Sequence, residues 1–91
     1  MARMVFSRSF IADLAAFDKP TRDAVKEKMT LVSEFPGVGT RALGDFSAYS
    51  FGHDALKVAV SGLDVFYRRE GEPGPDETVY VLGVVPQRCI R

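Results

Sequence analysis

The sequence predicts one α+β domain, residues 1–91, in which two N-terminal helices cover one face of a mainly antiparallel four- to five-stranded sheet in the order β-α-α-β-β-β-β. Three observations predict it. Apolar residues recur at helical spacing as far as Val32, the period changes to alternation after Gly37, and 91 residues suit one hydrophobic core with no room for a second.

Met4-Val5-Phe6 reads as a short first strand, and Ser7 or Ser9 suits the cap of a helix beginning near Phe10. Phe10, Leu14 and Phe17 give that helix one apolar stripe over two to three turns. Asp18-Lys19-Pro20 ends it and opens a second helix, because Pro20 fits a first turn and Asp18 can cap it. Val25, Met29 and Val32 form the second stripe, and Phe35-Pro36-Gly37 stops it. The two helices make a hairpin with a tight connection.

A loop is expected from Gly37 to Asp45, then a strand over 46–51. Leu56, Val58 and Val60 alternate with Lys57, Ala59 and Ser61, and Leu63, Val65 and Tyr67 alternate with Asp64, Phe66 and Arg68. Ser61-Gly62 between them is a two-residue hairpin turn, which sets Val58 opposite Val65 and Lys57 opposite Phe66. After the polar segment Glu70–Thr78, Val79 to Val85 is apolar on both faces and reads as a central strand. Leu56, Val58, Val60, Val65 and Tyr67 are assigned to the helix side. Lys57, Phe66 and Arg68 then lie on the other side with either Tyr80 and Leu82 or Val79 and Val81. With helices on one side only, Phe66 is expected to lie open as a docking surface for a partner.

Composition limits the chemistry. Twelve Lys+Arg balance twelve Asp+Glu, so a nucleic-acid role requires a local patch rather than an overall basic excess. Cys89 is the only cysteine and His53 the only histidine, which excludes a structural zinc cage, and no cofactor motif is present. No apolar run approaches the roughly 20 residues of a membrane span, and no signal peptide is readable, so a cytoplasmic location with no membrane partner is expected.

Four segments, "SRSFIADLAAFDKPTRDAVKEKM", "FPGVGTRALGDF", "LKVAVSGLDVFYRRE" and "VYVLGVVPQRCIR", taken with the order of elements, resemble the RelE/ParE superfamily of type II toxin-antitoxin toxins. The resemblance covers nearly the whole chain. It implies a toxin neutralised by a cognate antitoxin protein. RelE-like members cleave mRNA on the ribosome without metal, and ParE-like members inhibit DNA gyrase. In the nuclease branch, cations on the open sheet face stabilise charge at phosphorus while a proton moves between oxygens.

Residue by residue, the resemblance places Lys57 where the first hairpin strand usually carries arginine, and Asp64 where an arginine usually precedes the "VFY" ending. Arg88 matches a basic position near the terminus, while Ile90 or Arg91 stands where an aromatic is usual. The candidate catalytic residues are Lys57, Arg88 and His53, the last because its ordinary pKa suits a general base. Arg41, Arg68 and Arg91 are candidate substrate contacts, and Phe66 and Asp64 candidate partner contacts. Each has a plainer reading: strand cations are commonly solvated, His53 in "FGHDA" suits a simple turn, and Asp64 suits a structural pairing with Lys57. Tyr67 reads as core and Cys89 as a bystander. The reversed sign at 64 favours the alternative, a ParE-like gyrase inhibitor or a catalytically degenerate protein-binding module.

Overall fold

Ser7 turns the chain from strand into helix. In the computed structural model, which describes residues 1–42, 51–52 and 54–87, the Ser7 hydroxyl accepts the Phe10 N–H (3.1 Å) and donates to the Leu82 carbonyl (2.9 Å). One side chain thus caps helix α1 (Arg8–Ala15) and ties the end of strand β1 (Arg3–Phe6) to the sheet. Asp18 caps α2 (Lys19–Glu34) in the same way, accepting from Thr21 N–H at 3.1 Å, with Pro20 in the first turn. A 3-10 turn, Pro36–Val38, follows.

The strands are β2 (Thr40–Arg41), β3 (Leu56–Val60), β4 (Leu63–Glu70) and β5 (Thr78–Pro86). They form one sheet in the order β1-β5-β4-β3-β2, with β1 parallel to β5 and the other pairs antiparallel. The β3–β4 hairpin has the expected register, Val58 opposite Val65 and Lys57 opposite Phe66. Ser61 (φ 51°) and Gly62 (φ 74°) both take positive φ, the geometry that matches the twist of the paired strands. The expected central position of β5 also holds, between β1 and β4.

Phe10, Val25, Met29 and Val32 from the helices meet Val58, Leu63, Val65, Tyr67, Val79, Val81 and Val84 in one buried cluster. Each such side chain removed from water contributes about 1.5–3 kcal/mol. Tyr67 is buried with its hydroxyl satisfied twice, donating to the Pro36 carbonyl (2.7 Å) and accepting the Gly39 N–H (2.9 Å). A Cβ at Gly39 would lie 2.5 Å from that hydroxyl oxygen, so the close approach requires glycine.

The strand expected over 46–51 falls outside the described residues except for Phe51, which is not in a strand, and a short strand, β2 (Thr40–Arg41), lies inside the expected loop. More consequentially, the sheet face away from the helices is not open at Phe66. Phe66 is 0% exposed, in a second cluster with Ala42 and Ala55, against which Phe51, Leu82 and Val85 pack. Ala42, Phe51 and Ala55, all ahead of β3 in the chain, supply cover that the helices do not.

Candidate functional site

On the face away from the helices, β4 places Asp64, Phe66 and Arg68 in a row, because alternate residues of a strand share a side. Lys57 lies across from Phe66 and leans along the diagonal toward Asp64, its Nζ 3.6 Å from Asp64 Oδ2. Gln87, just past the end of β5, donates its side-chain amide to Asp64 Oδ1 at 3.0 Å and its backbone N–H to the Gly62 carbonyl at 2.9 Å. Asp64 is 6% exposed, so its charge is held among partners rather than in water. The Lys57 side chain keeps 34% of its surface open, which leaves ammonium donors available to an outside anion.

Arg68 stands on the other side of Phe66. Its guanidinium lies 5.6 Å from the centre of the Tyr80 ring and 3.2 Å from a Glu70 carboxylate oxygen, while its buried Nε has no hydrogen-bond partner among the described residues. Along β4, Lys57 therefore leans to the Asp64 side of Phe66 while Arg68 stands on the other side. Arg41 pairs with Leu56, and directly opposed residues share a face, so it leaves the sheet on the helix side, away from Lys57. His53, Arg88, Cys89, Ile90 and Arg91 lie outside the described residues.

Phe66 is therefore corrected as an exposed partner contact, because Phe51 stacks on it. Asp64 is likewise too buried to present its carboxylate outward, and its pairing with Lys57 is the plainer reading of that residue. Gln87, Tyr80 and Phe51 were not singled out from sequence. Hairpin register combined with strand parity carries the signal for Lys57 and Asp64, whereas nothing local marks Gln87 as the second partner.

A chain of the crystal structure of the intact E. coli RelBE toxin-antitoxin complex matches this one with a TM-score of 0.68 over 93% of this chain and 95% of that one, at 19% identity. This chain has a RelE-like fold. No known protein family matches its sequence, and neither does any curated protein.

In this RelE-like fold the helix side carries a second candidate surface, an apolar groove of about 340 Å³ between α1, α2 and β1. Phe6, Ile11, Leu14 and Met29 line it, with Lys26 at its side. Ile11 is 57% exposed, and the outer edge of β1 is unpaired among the described residues. No helix among the described residues is long and apolar enough to cross a membrane.

Proposed function

We propose that this chain is the toxin of a toxin-antitoxin pair, a metal-independent, ribosome-dependent mRNA endoribonuclease of the cytoplasm that a cognate antitoxin neutralises. The RelE-like fold supports the toxin reading. The observation that carries the nuclease reading is the corner where Asp64 bridges Lys57 and Gln87, the residue directly before Arg88. Attack of a ribose 2'-hydroxyl on the adjacent phosphorus breaks the bond to the 5'-oxygen, giving a protonated 5'-hydroxyl and a 2',3'-cyclic phosphate, and the negative charge that builds on the way is stabilised by a fixed ammonium. Lys57 is assigned that role, Arg88 a second phosphate contact, and His53 the removal of the 2'-hydroxyl proton.

The antitoxin is assigned to the helix-side groove rather than to Phe66. An apolar trough beside an unpaired strand edge, flanked by Lys26, suits an extended apolar segment with acidic flanks.

A second reading, a ParE-like inhibitor of DNA gyrase or a catalytically degenerate binding module, has its own observation: Lys57 faces Asp64 and Arg68 faces Glu70, so these two candidate cations already have carboxylates beside them. Expression of the chain alone should arrest bacterial growth, and healthy growth at high expression removes the toxin reading altogether. In a translating extract the nuclease reading expects mRNA cleavage that Lys57→Ala and Arg88→Ala each strongly reduce. Intact mRNA together with stabilised DNA breaks in a supercoiling assay would replace it with the gyrase reading.

A further inference from the structure

We infer that Asp64 is a positioning residue of the proposed site: its buried carboxylate holds the Lys57 ammonium toward the substrate and anchors Gln87, the residue before Arg88 in the sequence. The inference rests on the reading of this corner as the toxin's working surface, and it gives the reversed charge at 64 a role of its own in place of phosphate binding.

Three observations carry it. Asp64 divides its two oxygens between two elements, Oδ2 facing Lys57 of β3 at 3.6 Å and Oδ1 accepting from Gln87 at 3.0 Å. Gln87 is held at both ends, since its backbone N–H also reaches the carbonyl of Gly62 in the β3–β4 turn at 2.9 Å. Finally, the residue directly across from Asp64 is Ala59, whose methyl group leaves the diagonal open for the lysine stem. A lysine is a point charge on four rotatable carbons, and without a fixed anion its head samples several positions around the one a phosphate needs. At 3.6 Å the contact is an ion pair longer than a hydrogen bond, so it orients the ammonium without using all of its donors.

A purely structural ion pair would look the same in a stability measurement, so the test must read Lys57 itself. Asp64→Asn keeps the size of the side chain and an oxygen for Gln87 but removes the charge facing Lys57. Its toxicity, read as the inducer concentration that halves growth rate, should fall at least tenfold while its circular dichroism spectrum and melting temperature stay close to those of the unaltered chain. In a Lys57→Ala background the same change should cost less than a further twofold, because it acts through the lysine. Reductive methylation of Lys57, followed by peptide mass spectrometry, should run severalfold faster in Asp64→Asn.

Unchanged toxicity in Asp64→Asn, an equal loss in both backgrounds, or unchanged methylation would each overturn the inference. If the unaltered chain arrests growth without cleaving mRNA, the nuclease reading fails alone and the toxicity cycle still decides the role of Asp64. If the chain arrests nothing, both fall.

Discussion

Phe51 stacks on Phe66 with ring centroids 4.6 Å apart, and its ring lies where a side chain on Gly83 would have to go. A Cβ at Gly83 would stand 2.9 Å from Phe51 Cε1 and 3.0 Å from Cζ. The missing side chain on β5 is therefore the seat of the ring that covers β4.

Gly83→Ala should destabilise the domain by about 1–3 kcal/mol through overpacking, and Phe51→Ala by about 3 kcal/mol through lost burial and a cavity. The two should not add. With Phe51 truncated the new methyl group has space, so Gly83→Ala in that background should cost less than about 0.5 kcal/mol. Urea denaturation of the four proteins in the cycle checks this, and additive losses would contradict the seating of Phe51 over Gly83.

Tyr67→Phe removes a hydroxyl that satisfies both Pro36 and Gly39 from inside the core. It should cost about 1–3 kcal/mol, because the Gly39 N–H and the Pro36 carbonyl lose a partner beneath the 3-10 turn. Burial also pushes the Tyr67 hydroxyl above its ordinary pKa of 10. A spectrophotometric titration should accordingly show a tyrosine step above pH 10 that vanishes in Tyr67→Phe.

Acid should loosen the start of β5 through Glu77, the residue directly before it. Hydrogen bonds from the Arg69 guanidinium, one of them Nη2 to Oε1 at 3.1 Å, hold the Glu77 carboxyl below its ordinary 4.5. A carboxyl depressed in the folded state binds fewer protons there than in the unfolded chain. Its stabilisation is thus complete above about pH 4.5 and is lost as pH falls through the lower folded value. Glu77→Gln should lower stability at pH 7 by about 1.5–3 kcal/mol, toward the low end because Arg69 is partly solvated, and the gap from the unaltered chain should narrow below pH 4. Denaturant midpoints measured from pH 7 down to pH 3 provide the comparison; a gap that stays constant would dissociate Glu77 from the acid response.

Ile11→Glu places a charge on an exposed rim of the helix-side groove, where the side chain is not part of the buried core. Stability should change by less than about 0.5 kcal/mol. Rescue from growth arrest by the co-expressed antitoxin should weaken by at least tenfold in inducer concentration, while toxicity in its absence is retained. Full rescue would move the antitoxin to another surface.

Much of this architecture is legible in local chemistry. Ser7 and Asp18 announce the helix starts, Pro20 fits only a first turn, and Ser61-Gly62 sets the hairpin register to the residue. From that register Lys57 and Asp64 already lie on one diagonal, so half of the candidate corner is readable before folding. The assignment of β5 is not, because Val79 to Val85 is apolar at every position but Tyr80 and Gly83 and alternation says nothing about which side is inward. The structure puts Val79 and Val81 under the helices, and Leu82 is an extra residue where β5 bulges opposite Phe66 and Tyr67, which brings Val84 back to the helix side.

What the sequence by itself determined is the local grammar: two capped helices, a two-residue hairpin turn and an all-apolar central strand. These follow from neighbours within a few positions, where backbone sterics and side-chain spacing act directly. Only the tertiary structure decided that Phe66 is covered, that Arg41 and Lys57 leave opposite faces, and that Gln87 completes the partners of Asp64. Those outcomes depend on contacts between residues far apart in the chain, whose geometry is set by packing of the whole sheet and leaves no periodic trace in the sequence.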